Sequence, residues 1–190
     1  MMLFFVPPSE ILLPALEDYR RESGPDCDGT AGLGEFSDLT DWLARVRLLS
    51  SCEAERRGWF RTVVFVALES PGACSLMARA ERDPALLAGM KPVGIGNVRL
   101  SRDPIIEERA GHIGYHVRPS ARGRGIGTAI LSHAVALCRE RGIGSPVLAA
   151  EPGNTASLKT AARCGFGEPV RRKCEDGSEI LLLRFQGKAD

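Results

Sequence analysis

The chain has 190 residues and a mass of 20.5 kDa, with 44% apolar and 26% charged residues, 21 Gly and 12 Pro. This is an ordinary globular composition, long enough to bury a sizeable core, and it excludes disordered and collagen-like classes. Twenty-five Lys and Arg stand against 24 Asp and Glu, a net charge of +1. No overall field draws the chain to duplex nucleic acid or to an anionic membrane. One domain over residues 1–190 is expected, with neither nucleic acid nor membrane as a partner. Cys27, Cys52, Cys74, Cys138, Cys164 and Cys174 form no C-x-x-C pair and no Cys/His cluster, so reduced thiols and no metal are predicted. The apolar run Val63 to Leu68 is far short of the ~20 residues that span a bilayer. Met1 to Val6 lacks the basic leader of a secretory signal, and a cytoplasmic location is expected.

In chain order, Leu3 to Val6 reads as a short strand broken by Pro7 and Pro8, and Ser9 is placed to cap a helix. Ile11, Leu12, Ala15, Leu16 and Tyr19 recur at helical spacing, predicting a helix from Glu10 to Glu22 that Ser23-Gly24-Pro25 ends. After a Gly- and Asp-rich loop, Ser37 or Asp38 caps a second helix to about Cys52, with Leu39, Trp42, Leu43, Val46 and Leu49 as its apolar stripe. Thr62 to Leu68 and Lys91 to Leu100 read as strands, separated by an insertion, Pro71 to Met90, with a short helical piece. Gly111 to Val117 and Pro146 to Ala150 are further strands. Val170 to Cys174 and Glu179 to Phe185 flank Asp176-Gly177, a hairpin signal. The pattern predicts a mixed α/β (α+β) sheet with helices on both faces.

The chemistry concentrates in Val117-Arg-Pro-Ser-Ala-Arg122-Gly-Arg-Gly125-Ile-Gly127-Thr128. An amphipathic helix follows to about Arg141, with Ile126, Ile130, Leu131, Ala134, Val135 and Cys138 on one face. Alternate glycines where a loop enters a helix leave backbone N–H groups free to point at an anion. Each such contact contributes ~0.3–1 kcal/mol when exposed, so tight binding needs several amides plus charge from Arg118, Arg122 or Arg124. A dinucleotide fingerprint fails, because the sixth position is Thr128 or Ile130 rather than Gly. A P-loop fails because no Lys lies near the loop.

The spacing Arg122-x-x-Gly125-x-Gly127 resembles the R/Q-x-x-G-x-G/A loop of the GNAT superfamily of N-acetyltransferases. Asn154-x-x-Ser157 followed by Cys164-Gly165-Phe166 resembles that superfamily's N-x-x-S helix and its G-F ending. Gly111-His-Ile-Gly-Tyr-His-Val-Arg-Pro-Ser120 is similar to a segment of a bacterial branch of predicted acetyltransferases. The strong resemblance covers about residues 91–167. It implies a sheet whose fourth and fifth strands splay apart, with the pantetheine arm of acetyl-CoA in the wedge. It further implies backbone bonds from Val117 to that arm, and pyrophosphate held by Arg122, Gly123, Arg124, Gly125, Ile126, Gly127 and Thr128. Asn154 and Ser157 complete the cofactor side, although Asn154 also reads as a plain helix cap. The implied activity is direct transfer of an acetyl group to a primary amine on a small molecule or peptide, by a monomer or homodimer. The alternative is a CoA-binding regulatory module with little turnover.

A lysine-like amine must lose a proton before it attacks, at a cost of about 4.6 kcal/mol at pH 7. His112, Glu108 and Glu151 are the candidate bases, set against a histidine bonded within the sheet and a solvated loop carboxylate. Many superfamily members carry an acidic Tyr four residues after the motif Ser, where this chain has Ala161. Tyr115 is the side chain available in its place. His116 shares the strand face of His112, and His133 is expected on the surface. Trp42 and Trp59 line a groove or belong to the core, and Cys164 is a nucleophile or a buried thiol.

Overall fold

The computed structural model describes residues 2–25, 27–70 and 84–187. Seven strands form one sheet in the order β1-β2-β3-β4-β5-β7-β6. They are β1 (Met2–Val6), β2 (Thr62–Ser70), β3 (Lys91–Arg99), β4 (Ile113–Val117), β5 (Val147–Ala150), β6 (Val170–Lys173) and β7 (Glu179–Arg184). Every neighbouring pair is antiparallel except β4 and β5. The predicted mixed sheet is therefore present, with its strand boundaries shifted by one or two residues.

Helices α1 (Leu13–Ser23) and α2 (Leu39–Ser50) cover one face. Helices α3 (Ile126–Glu140) and α4 (Thr155–Arg163) cover the other. The expected start of α1 at Glu10 is instead a 3-10 turn, Glu10–Leu12. Pro14 has no N–H to bond the carbonyl of Glu10, so the α ladder cannot reach back that far. Asp38 caps α2, its carboxylate accepting from the Thr40 amide at 2.7 Å. The insertion 71–90 lies outside the described residues up to position 83, and Pro84–Gly89 forms a 3-10 helix.

Alternation along β2 divides its side chains between two cores. Val64, Val66 and Leu68 pack with Leu16, Tyr19, Trp42 and Leu43 on the α1/α2 face. Phe65 and Ala67 pack with Ile126, Ile130, Ala134 and Ile113 on the α3/α4 face. Burial on both faces explains the unbroken apolar run read from the sequence. Trp42 is core, its indole N–H bonded to the Ala31 carbonyl at 3.2 Å. His133 is not a free surface residue. It stacks on Phe5 with ring centres 4.2 Å apart and meets the edge of Phe65, because the outer strands extend beneath α3.

Candidate active site

The parallel strands β4 and β5 share a single ladder pair, Ile113 with Leu148. Below it, the His112 amide donates to the Val147 carbonyl at 2.7 Å. Beyond it, no further pairing holds the two strands. On its other edge β4 is fully bonded to β3, with Arg118 donating to Val93 and Arg99 donating to the His112 carbonyl. Hydrogen bonding alternates along an antiparallel strand, so the N–H and C=O groups of Tyr115 and Val117 face the gap. This is an open sheet edge at the centre of the protein.

The glycine loop lies at the end of that gap. A 3-10 turn, Pro119–Ala121, brings the chain out of β4. Gly123 and Gly125 then take φ of +77° and +80°, a left-handed backbone that costs an L side chain about 1–2 kcal/mol. A Cβ on either glycine would meet nothing within 4 Å, so the space above the loop is open. The α3 ladder starts with the Ala129 amide on the Gly125 carbonyl at 3.1 Å. The amides of Ile126, Gly127 and Thr128 thus precede the ladder and form the positive end of α3.

A cavity of about 460 Å³ joins the loop to the gap. The sequence-derived residues Tyr115, Val117, Arg122, Gly123, Gly125, Ile126, Gly127, Thr128, Asn154 and Ser157 all line it. Arg124 does not, because its guanidinium pairs with Glu69. Arg118 also turns away. It is 4% exposed and bonded to Asp18 at 2.5 Å and to Glu22, which fastens β4 to α1. Lys159 and Arg163 line the cavity without having been singled out. Their i, i+4 spacing on the helix that Asn154 begins was the available signal. Among the described residues, three cations, the α3 amino terminus and no carboxylate line the cavity, so it suits a polyanion with an extended arm.

A family model described as the acetyltransferase (GNAT) family matches residues 36–166. This chain belongs to that family. A comparison with curated proteins finds no match. Among solved structures, it is similar to a Bordetella pertussis protein described as a GnaT-family acetyltransferase, with TM-score 0.64 and 17% identity over 97% of this chain and 95% of that one. It is also similar to YncA from Salmonella typhimurium, solved with its cofactor acetyl-CoA, with TM-score 0.57 and 15% identity over 97% and 93% of the two chains. A third is the ribosomal-protein-alanine N-acetyltransferase from Brucella melitensis, with TM-score 0.58 and 20% identity over 95% and 98%. At these identities the likeness establishes the fold.

Within this GNAT protein, Tyr115 reaches α4, its hydroxyl 3.2 Å from the Ser157 hydroxyl. Burial raises its pKa and keeps it protonated. Ala161 is fully buried in the core below. Asn154 caps α4, accepting from the Ser157 amide at 3.0 Å. His112 is also fully buried and lies outside the cavity lining. Its Nδ1 accepts from the Val147 amide at 3.0 Å, which leaves the proton on Nε2. Burial lowers its pKa, so it stays neutral. Glu151 is exposed directly after β5 and does not line the cavity. Cys164 is buried, its thiol directed to the Thr128 carbonyl at 3.6 Å.

His116 proves more central than its sequence context implied. Arg122 Nη2 lies 3.3 Å from its Nε2, and the Tyr19 hydroxyl lies 2.6 Å from its Nδ1. A guanidinium can only donate, so Nε2 accepts and Nδ1 carries the proton. Tyr19 then accepts from Nδ1 and donates to the His116 carbonyl at 3.2 Å. Burial and the nearby Arg122 hold the imidazole down to about 4, so it is neutral at pH 7. The Nε of Arg122 donates to the Val117 carbonyl at 3.2 Å, and the side chain crosses the edge of the gap.

Proposed function

We propose that this chain transfers an acetyl group from acetyl-CoA directly to the primary amine of an acceptor. The supporting observation is the cavity at the parted strands, with Arg122, Lys159, Arg163 and the α3 amino terminus facing it and, among the described residues, no carboxylate in its lining. When bound, acetyl-CoA supplies a thioester carbonyl that an amine can attack. Arg122 and the amides following Gly123 hold the diphosphate, the open edge of Tyr115 and Val117 bonds the pantetheine amides as an added strand does, and Asn154 and Ser157 close the α4 side.

The chain's own groups then manage the protons. The attacking amine must be neutral, and its proton passes through solvent to Glu151 at the open end of β5. Tyr115, kept protonated by burial, is the donor for the departing sulfur. A thiol with pKa near 8.5 needs only modest help, so a phenol suffices without a residue at Ala161. His112 holds β4 to β5 just below the point of divergence and acts as a positioning residue.

Isothermal titration with acetyl-CoA and a thiol-release assay over a panel of primary amines test this reading. Saturable binding with amine-dependent thiol release is expected. Binding without release across the panel would refute turnover, and absence of binding would refute the cavity assignment.

A further inference from the structure

A second cavity, of about 410 Å³, lies on the α1/α2 face. Its floor is Asn97 and Arg99 of β3, one wall carries Arg45 and Trp59, and the other carries Gly32 and Glu35. Register places the floor beside the reaction site. Asn97 pairs with Gly114 of β4, and the Arg99 amide bonds the His112 carbonyl. The Asn97 side chain also donates to the Gly29 carbonyl at 2.7 Å. Gly29 rests so closely on β4 that a Cβ there would come within 2.5 Å of the Tyr115 backbone. The floor of the cavity is therefore one strand away from β4, whose other edge opens onto the gap.

Its electrostatics are unusual for the interior of a sheet face. Arg99 is half-buried, and its Nη1 reaches only the carbonyls of Ala110 and Gly111, at 3.4 and 3.1 Å. Among the described residues it meets no carboxylate, and burial lowers its pKa with nothing to offset it. Removing a cation from water without a partner is costly, and a bound anion would relieve that cost. Arg45 likewise has no ion pair among the described residues. It is steadied by Trp59, with its guanidinium carbon 4.8 Å from the ring centre. Trp59 is 36% exposed and belongs to the wall of this cavity. Two guanidinium forks opposite the single carboxylate of Glu35 leave one excess positive charge. A planar monoanion fits that balance better than a dianion.

We propose that this cavity receives a carboxylate carried by the acceptor, held by Arg45 and Arg99, so that the acceptor is an amine bearing a carboxylate, such as an amino acid or an acidic peptide. This rests on the acetyl-transfer reading and gives its acceptor a chemical class.

Two measurements test it. Butyrate, a monocarboxylate without an amine, is titrated into the full chain and followed by tryptophan emission. Trp42 is fully buried, so Trp59 is the reporter and W59F the blank. A saturable change is expected, weakened about tenfold by Arg45→Gln. Arg99→Gln, checked for folding by circular dichroism, should weaken it similarly. Second, amines are offered as carboxylates and as the matching amides in the thiol-release assay. Carboxylates should be preferred, and Arg45→Gln should lower the carboxylate-to-amide ratio of kcat/KM about tenfold. Equal butyrate binding by wild type and Arg45→Gln, equal use of amides, or tighter binding of inorganic phosphate than of butyrate overturns the proposal while leaving acetyl transfer intact. Loss of acetyl-CoA binding itself would remove the reading on which the proposal stands.

Discussion

The two faces of β4 are built from different kinds of sequence. The cavity at the glycine loop comes from two short stretches, residues 115–128 and 154–163, each continuous in the chain. The opposite side is assembled from residues 31–35, 45–49, 58–62 and 97–99, brought together only by the finished sheet. The first face is uniformly cationic, whereas the second carries Arg45 and Arg99 opposite Glu35. A fixed, highly charged ligand can be met by a local motif, while an acceptor is met by whatever distant segments the fold collects. The sharpest break of this comparison lies at Gly125. With φ of +80° and open space above it, Gly125→Glu both strains the loop and sets a carboxylate in the anion cradle. Acetyl-CoA affinity should fall at least about a hundredfold, ~3 kcal/mol, by calorimetry on protein shown to be folded. An affinity within threefold of wild type would mean that the diphosphate does not sit there.

This division also explains what could be read in advance. The glycine spacing, the Asn154 cap and the apolar helix faces are local patterns that placed the loop and its helices, while the splay and most cavity residues came from the family resemblance those motifs carry. Other assignments depended on partners outside the local pattern. Arg118 and Arg124 are next to the loop in the chain, yet Asp18 with Glu22 and Glu69 draw them elsewhere. His112 and His116 share one face of a strand, but only the second meets Arg122 and Tyr19. Pro14 moved the start of α1 because a single missing N–H outweighs an otherwise helical apolar pattern. The second cavity had no sequence signature, since no two of its walls are neighbours in the chain.

Arg118 separates the two faces next. It is buried at the end of β4, with its charge met by Asp18 and Glu22, and the Ser120 amide also donates to Glu22 at 2.7 Å. Arg118→Met removes the shared cation and its charge-assisted hydrogen bonds to Glu22 and Asp18, and should lower the unfolding temperature by several degrees, moderated because the two carboxylates left behind are solvated. Thermal unfolding measures the loss, and acetyl-CoA affinity should stay within threefold. A tenfold fall in affinity at unchanged stability would return Arg118 to the cofactor side.

A smaller, pH-dependent effect follows from His116, which joins α1 to the cofactor loop. Its pKa is lowered from the ordinary value to about 4 when folded. Between the two values the unfolded chain binds the extra proton, so stability rises with pH across this window and is lost as pH falls from about 6.5 to 4. The imidazole is largely shielded from solvent, and about 2 kcal/mol should disappear over that range. In His116→Gln the unfolding temperature should fall less steeply over the same interval. Asp18 and Glu22, whose carboxyls are held low by Arg118 and Ser120, titrate in both proteins and cancel in the difference. Parallel profiles would show that His116 is not buried as a neutral acceptor of Arg122.

Tyr115 lies on the border between the two faces, and its substitution has the smallest expected effect. Its backbone supports Gly29 on one side, while its hydroxyl meets Ser157 on the other. Tyr115→Phe removes only the hydroxyl and leaves the border in place. If the phenol protonates the departing sulfur, kcat should fall about tenfold, ~1.4 kcal/mol, with the KM for acetyl-CoA within twofold. The alkaline limb of the kcat profile should also move, because wild type loses its donor as the phenol ionises and the variant has none to lose. A rise in KM at constant kcat would instead make Tyr115 part of the cofactor wall. Unchanged values of both would leave solvent as the proton source and reduce the residue to the packing that keeps the two faces apart.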